Sequence, residues 1–271
     1  MLSYPEIDPV IFRIGPIALR WYGLMYLFGF LASRFLVRKQ LRETDPAGAP
    51  ALYATLDALI VWLVVGVVVG GRLGYVIFYG WGYYVHHPAE IFATWTGGMS
   101  FHGGVAGAIL AGTFFCRVHQ EDFWLWADRF AITAPVGLGL GRIGNFINGE
   151  LYGRPSDVPW AMIFPQGGLV PRHPSQLYEA ALEGVVLFSL LWPMRKRTWA
   201  SGKKFALFLI LYALARSSAE IFREPDAQLG FIAFGWLTMG QVLSFALLLA
   251  GIGIWFWKGN HPVPLVRRSI K

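Results

Sequence analysis

Several charged side chains stand inside long apolar stretches of this sequence. Arg142 follows a glycine-rich run, and Arg216 and Glu220 are four residues apart, so they share one face of a helix. A charge at the centre of a membrane costs at least about 2.5–3.5 kcal/mol, which marks each of these residues as a functional candidate. Because a guanidinium group presents a planar fork of donors that matches phosphate oxygens, Arg142 and Arg216 favour a phosphate-binding site.

The same kind of charge also has a purely structural interpretation. Glu179 and Glu183 are four residues apart, and Arg72 stands in a further apolar stretch. Arginines and glutamates placed in this way could pair with one another and hold helices together. For Arg72, Glu183 and Glu220 the two interpretations stay open.

Two histidines and a polar run add further candidates. His102 lies among glycines in GGMSFHGGVAG, where the backbone could approach a ligand closely and a neutral imidazole could accept a proton. A lone histidine in a helix is more often structural. His173, in PRHPSQLYE, could equally brace a loop. The run GLGRIGNFINGELYGRP predicts a polar cavity at the outer membrane surface, because packing alone does not require its polar side chains Arg142, Asn145, Asn148, Glu150 and Arg154.

Membrane helices must position these side chains, since the composition does not suit a soluble fold. The chain has 271 residues, of which 55% are hydrophobic and 14% charged, whereas soluble domains are about 25% charged. A cytosolic enzyme, a disordered chain and a disulfide scaffold are excluded, the last because Cys116 is the one cysteine. The net charge of +7 comes from basic clusters beside apolar runs, which is typical of membrane loops rather than nucleic-acid binding.

A helix that crosses a bilayer needs roughly 20 apolar residues, and the sequence predicts seven such spans. They are residues 18–38, 57–79, 96–116, 123–141, 177–194, 204–222 and 236–257. Most Lys and Arg residues follow the first, third, fifth and seventh spans, which places the carboxyl terminus in the cytoplasm and the amino terminus outside. The predicted fold class is all-α: a single integral membrane domain over residues 1–271, with seven transmembrane helices and a small outward-facing head at about 142–176.

Six motifs together give the sequence a family resemblance. The run GRIGNFINGELYGRP (141–155) resembles the signature of the prolipoprotein diacylglyceryl transferases. Five further motifs resemble the same family in the same order: WYGLMYLFGF (21–30), GGRLGYVIFY (70–79), GGMSFHGG (97–104), RHPSQLYE (172–179) and FREPDAQ (222–228). They span nearly the whole chain, so the resemblance does not depend on one segment.

The resemblance implies a seven-helix enzyme of the bacterial inner membrane. It would transfer the diacylglyceryl group of phosphatidylglycerol to the lipobox cysteine of a prolipoprotein signal peptide, forming a thioether and releasing glycerol phosphate. Its partners would be these two substrates and membrane lipids, and no metal or other cofactor is implied. The implied catalytic residues are His102, Arg142 and Arg216, the implied substrate-binding residues are Tyr22, Tyr75, Asn145, Glu150, Gly153, His173, Glu220 and Arg223, and Asp128 is a supporting candidate.

The implied chemistry suits these residue types. The thiol comes from the substrate, so the enzyme needs no cysteine of its own, and His102 is the candidate acceptor of the thiol proton. Arg142 and Arg216 would stabilise the negative charge that grows on the leaving phosphate. Three alternatives remain: a lipid or anion transporter with embedded arginines, a scaffold whose charges only pair, and a phosphatidyl transferase. The sequence shows neither the internal repeat common in transporters nor an Asp-rich metal motif.

Overall fold

Helices dominate the computed structural model, which describes residues 2–5, 7–15, 17–225 and 230–259, without the side chains of Ile14, Ile17 and Thr96. The helices are α1 (Trp21–Thr44), α2 (Ala49–Phe78), the short α3 (Trp81–Tyr84), α4 (Phe101–Val118), α5 (Phe123–Ile147), α6 (Ser175–Glu179), α7 (Leu187–Leu191), α8 (Lys203–Glu220) and α9 (Met239–Trp257). A π-helical segment, Ala180–Val186, and a 3₁₀ turn, Trp192–Lys196, make α6 and α7 parts of one continuous helix, Ser175–Lys196.

Each of the seven predicted spans overlaps one of the long helices. Five of them, α2, α4, α5, α9 and the continuous helix Ser175–Lys196, are long and apolar enough to cross a membrane. The other two, α1 and α8, are more polar. The basic residues Arg267, Arg268 and Lys271, which support the predicted orientation, lie outside the described residues, as do Asp226, Ala227 and Gln228 of the last motif.

Helix α5 runs further than its predicted span. It continues to Ile147, so residues 142–147, which the sequence analysis assigns to the head, are helical. Arg142 and Asn145 therefore stand on a regular helix. The irregular segment begins only after Ile147.

A β-hairpin that was not predicted precedes α1. The fold is therefore mainly helical rather than all-α. Strand β1 (Val10–Ile14) pairs antiparallel with β2 (Ile17–Arg20), and Gly15 takes a φ of 57° in the turn between them. The first predicted span begins at residue 18, inside β2. The helix begins three residues later, where the Trp21 amide donates to the Pro9 carbonyl at 3.1 Å.

The chain forms two compact units, one of which comprises Pro46–Trp126. In this unit α2 and α4 lie antiparallel in close backbone contact, with Gly66, Gly70 and Gly74 against Gly103 and Gly107. A Cβ atom added to Gly74 would stand 2.8 Å from the Gly103 Cα. Small residues four apart let two membrane helices approach in this way, which gains dispersion contacts along both backbones.

The second unit comprises the described residues before Pro46 and after Trp126. Here the continuous helix Ser175–Lys196 packs closely on α5, because a Cβ on Gly184 would lie 2.8 Å from the Gly139 Cα. A similar contact joins α1 to α5 between Gly29 and Gly137. These glycines bring three helices within reach of one another's side chains.

Asp128 on α5 caps the beginning of α8. Its Oδ2 accepts from the Gly202 amide at 2.9 Å and its Oδ1 from the Phe205 amide at 2.8 Å. The side chain is buried and satisfies two donors that the first turn of a helix leaves free. The structure therefore gives this supporting candidate a structural task.

We expect Asp128→Ala to lower the thermal midpoint of the purified protein, since loss of a cap costs about 0.5–2 kcal/mol. Asp128→Asn, which keeps one acceptor oxygen, should lose less. Differential scanning fluorimetry in detergent measures both variants. An unchanged midpoint for Asp128→Ala would show that the cap contributes nothing to stability.

Candidate active site

Arg142 meets two glutamates of the continuous helix Ser175–Lys196. Its Nε lies 2.9 Å from Glu179 Oε2, and its Nη2 donates to Glu183 Oε2 at 3.2 Å. The contact between Gly139 and Gly184 sets this distance between the two helices. Glu183 and Gly184 belong to the π-helical segment, a type of irregularity often found at functional sites.

Arg216 on α8 reaches the same two glutamates and a third one. Its Nη1 lies 3.3 Å from Glu179 Oε2 and its Nε lies 3.9 Å from Glu183 Oε1. Its Nη2 contacts Glu220 Oε2 at 2.6 Å, as the four-residue spacing predicts. Glu179 and Glu183 have fully buried side chains, so these ion pairs are little screened by solvent.

Glu220 is fixed by the start of α9 as well as by arginine. Thr238, which caps α9, donates from Oγ1 to Glu220 Oε1 at 2.9 Å. A Cβ on Gly240 would stand 2.6 Å from the same oxygen, so a larger residue at this position would require the carboxylate to shift. Arg223 Nη1 lies 4.0 Å from Glu220 Oε2. These residues complete a six-residue charge cluster of three arginines and three glutamates: Arg142, Arg216, Arg223, Glu179, Glu183 and Glu220.

A second polar group surrounds Glu150, just after α5. Asn145 and Asn148 donate from their Nδ2 atoms to Glu150 Oε1 at 2.9 and 3.0 Å, and Gln176 Nε2 donates to the Glu150 carbonyl at 2.6 Å. Tyr22 on α1 packs against Gly144 of α5, and its hydroxyl is hydrogen-bonded with that of Tyr26 at 3.2 Å. Tyr22 is within electrostatic range of both Glu150 and Arg142. The two groups are therefore neighbours.

Gly153 lies where three chain segments meet. Its amide donates to the His173 carbonyl at 2.9 Å, and the next amide, of Arg154, donates to the Phe222 carbonyl at 2.9 Å. A Cβ on Gly153 would stand 2.5 Å from the Phe222 oxygen and 2.7 Å from the His173 oxygen. This backbone contact holds the irregular segment that follows α5 against the residues that follow α8.

We expect Gly153→Ala to destabilise the protein, because overpacking against backbone costs about 1–3 kcal/mol. Any activity of the charge cluster should fall with it, since Phe222 would be displaced and Arg223 directly follows it. Thermal midpoint and activity are measured on the same preparation. Gly253→Ala, on α9 with open space at its Cβ, is the matched control. Equal midpoints for the two variants would contradict the packing argument.

His173 is held by aromatic side chains. Its Nδ1 is 3.1 Å from the Tyr178 hydroxyl, to which Trp160 Nε1 donates at 2.6 Å, and the Phe222 ring meets the imidazole edge-on. Burial lowers the pKa of His173, while nearby Asp157 opposes that change. Burial thus favours the neutral form of this imidazole.

His102 and Tyr75 belong to the unit Pro46–Trp126. His102 lies in the first turn of α4, where it is exposed and meets the ring of Phe101. Tyr75 on α2 stacks on Tyr79 with ring centroids 5.7 Å apart. Gly103, next to His102, is used for contact with α2. Contact between two helices thus explains why Gly103 is a glycine, whereas the sequence suggests close approach of the backbone to a ligand there.

Among the residues that the structure describes, no glutamate carboxylate pairs with Arg72 of the same unit, which corrects one of its two interpretations. Its Nη2 donates to the Glu90 carbonyl at 2.6 Å, its Nε to that of Ile91 at 2.8 Å, and its Nη1 to that of Gly97 at 2.6 Å. The guanidinium also lies over the Tyr84 ring. Arg72 therefore fixes the main chain between α3 and α4.

Comparison with known proteins identifies the family. The family model of prolipoprotein diacylglyceryl transferases matches residues 9–257. A protein of Desulfotalea psychrophila named phosphatidylglycerol–prolipoprotein diacylglyceryl transferase is 53% identical over 262 residues, which cover 94% of this chain and 95% of the relative. Relatives with the same name in Geobacter sulfurreducens and Pseudomonas aeruginosa are 54% and 49% identical, over 93% and 95% of this chain and 95% and 96% of their own.

This chain belongs to the prolipoprotein diacylglyceryl transferase family. The resemblance found in the six motifs is thereby confirmed. Of the residues that the family resemblance implies, the structure brings Arg142, Arg216, Glu220 and Arg223 into one cluster. It places Tyr22, Asn145 and Glu150 next to that cluster.

Some residues of the candidate site had no role assigned from the sequence. Glu179 and Glu183 were noticed as a spaced pair, yet no site role was given to either. Gln176 stands in the motif RHPSQLYE but had no role assigned, and Thr238 and Gly240 carried no sequence signal, since their partner Glu220 is distant in the chain. Within the described residues, no group of three or more His, Cys, Asp or Glu side chains is arranged to hold a metal ion.

Proposed function

We propose that this chain transfers the diacylglyceryl group of phosphatidylglycerol to the lipobox cysteine thiol of a prolipoprotein. The observation that carries the proposal is the match to named transferases along nearly the whole chain at about half identical residues. In the reaction, the bond between a glyceryl carbon and a phosphate oxygen breaks and a carbon–sulfur bond forms. The thiol proton is released, and glycerol phosphate leaves.

The charge cluster supplies the groups that such a leaving phosphate needs. Arg142 and Arg216 stand on different helices, and Glu179 binds both of them. Donors fixed in advance lower the barrier as negative charge grows, and one such donor is typically worth about 2.7–4 kcal/mol. Burial strengthens the effect because the local dielectric constant is low.

The remaining residues are proposed to hold the substrates and move the proton. Asn145, Glu150 and Tyr22 would hold the glycerol headgroup, with Tyr75, Arg223, His173 and Gly153 in supporting positions. Glu220 orients the Arg216 guanidinium through their 2.6 Å contact. The family resemblance assigns the thiol proton to His102, whose exposed ring makes no hydrogen bond within the described part of the chain.

We further propose that all seven long helices span the bacterial inner membrane as one integral domain. Helices α1 and α8 would cross it with their polar residues turned to the protein interior, as the burial of Arg216 and Glu220 supports. The amino terminus and a head at about 142–176 would face outward, and the carboxyl terminus would face the cytoplasm. The distribution of basic residues supports this orientation.

The test uses purified protein in phosphatidylglycerol vesicles with a synthetic lipobox peptide. Glycerol phosphate release and peptide mass are followed together, with Arg142→Ala as the inactive comparison. We expect equal amounts of released glycerol phosphate and of peptide that has gained a diacylglyceryl mass. Neither signal from folded protein would instead favour the alternative, a lipid or anion transporter, which moves its ligand without breaking a bond.

A further inference from the structure

The arginines that should bind phosphate are already occupied by carboxylates. Arg142 forms ion pairs with Glu179 and Glu183 through its Nε and Nη2 atoms. Arg216 forms ion pairs with the same two glutamates and with Glu220. The charge cluster holds three positive and three negative side chains. It is therefore balanced before any anionic lipid arrives, although an open anion site would carry excess positive charge.

The three carboxylates are not held equally. Glu220 Oε1 accepts a hydrogen bond from the Thr238 hydroxyl, and the carboxylate lies close to Gly240. Glu179 Oε2 lies 2.9 Å from one arginine and 3.3 Å from the other, so it links the pair. Glu183 Oε2 accepts from Arg142 at 3.2 and 3.3 Å, while its Oε1 accepts no hydrogen bond within the described residues and lies 3.9 Å from Arg216. Glu183 is thus the carboxylate whose aligned hydrogen bonds all come from Arg142.

Arg142 is also the more accessible of the two bridged arginines. Its side chain is 18% exposed, against 9% for Arg216. A phosphate that reaches the cluster meets Arg142, and if it binds side-on through Nε and Nη2 it takes the donors that Glu183 occupies. The two anions compete for the same guanidinium nitrogens, because phosphate and carboxylate oxygens accept in the same geometry.

We propose that Glu183 is a competing counter-ion that limits phosphate affinity and reclaims Arg142 when the product leaves. The proposal rests on the proposed function, in which cleavage turns a phosphate diester into a monoester. The monoester can carry a second negative charge and binds arginine more tightly than the substrate does. Without a competing carboxylate, the glycerol phosphate would be held in the cluster after the reaction. Glu179 keeps Arg142 and Arg216 linked while Glu183 exchanges.

The substitution Glu183→Gln tests this role, since it keeps the shape of the side chain and removes its charge. We expect the inhibition constant of added glycerol phosphate to fall about tenfold, the scale of one charge-assisted hydrogen bond. The KM for phosphatidylglycerol should fall as well, and kcat should fall because release becomes slower. A merely structural glutamate would instead leave the inhibition constant unchanged or raise it.

Two further variants keep the test decisive. Glu183→Asp retains the charge and shortens the reach, so it should tighten glycerol phosphate binding to a smaller degree even if the glutamine variant does not fold. Glu43→Gln removes an ion pair of 2.8 Å with Arg195 outside the charge cluster and should leave the inhibition constant unchanged. Unchanged or weaker inhibition of folded Glu183→Gln, or of folded Glu183→Asp where the glutamine variant does not fold, overturns the proposal.

Failure of the proposed function would be seen separately. If the wild-type protein adds no mass to the lipobox peptide, the transfer reaction is wrong. Calorimetric titration of glycerol phosphate into detergent-solubilised wild type and Glu183→Gln then still decides whether Glu183 competes for the arginine. Tighter binding by the variant supports the competition, and equal or weaker binding refutes it.

Discussion

Arg216→Lys should lower diacylglyceryl transfer by at least about 100-fold, the scale of one lost oxyanion donor, while the protein stays folded. Arg216 faces three carboxylates with three different nitrogens, at 2.6 to 3.9 Å. A lysine preserves the positive charge but has a single nitrogen, so it cannot keep this geometry or bind phosphate with two parallel donors. Glycerol phosphate release from phosphatidylglycerol vesicles measures the loss, and a thermal melt checks the fold.

Lysine is a sharper choice here than alanine. Removing the charge altogether would leave Glu179, Glu183 and Glu220 with fewer cations, and an unpaired buried charge costs about 3–5 kcal/mol. Arg195→Lys is the matched control, because Arg195 also pairs with a glutamate, Glu43, at 2.8 Å. Its activity should stay near the wild-type value. Activity of Arg216→Lys within threefold of Arg195→Lys would remove Arg216 from the proposed chemistry.

His102→Gln should lower kcat by about 10²–10⁴-fold, the usual contribution of a general base. Glutamine has a similar size and can still donate and accept hydrogen bonds, yet its side-chain amide does not take up a proton near pH 7. KM for the lipid should change little, because the imidazole is assigned the thiol proton rather than the headgroup. Initial rates over a range of phosphatidylglycerol concentrations separate the two constants.

The same helix offers a control for this substitution. His119 follows the last residue of α4 and is exposed like His102, so His119→Gln repeats the chemical change away from the first turn. We expect it to keep wild-type kcat. Should His102→Gln retain most of its turnover, the proton acceptor would have to be sought elsewhere, and a thiolate stabilised by arginine would be the better account.

Local spacing predicted the parts of the site that a single helix determines. Arg216 and Glu220 lie one helical turn apart, and the structure joins them at 2.6 Å. The pairing of Arg142 with Glu183 could not be predicted, because it depends on how closely Gly139 and Gly184 let two helices approach. The partners of such a charge are set by packing between distant segments.

The remaining errors also have physical causes. The pairing of Arg72 with a glutamate is not found among the described residues, because its donors satisfy main-chain carbonyls between α3 and α4, which are acceptors that every residue carries. A functional role for Arg72 stays a prediction. The strands of the hairpin before α1 are short, and the prolines around them concealed the alternation of apolar and polar residues that is typical of a strand. The six motifs identified the family without these details, because they are read residue by residue.

The attachment of Glu220 to the first turn of α9 connects the charge cluster with the thickness of the bilayer. Thr238 and Gly240 fix the carboxylate at the end of a helix that is long and apolar enough to cross the membrane. A transmembrane helix adjusts its tilt when the hydrocarbon layer becomes thinner or thicker. A change in the tilt of α9 would therefore act on the Glu220 carboxylate and, through the 2.6 Å contact, on Arg216.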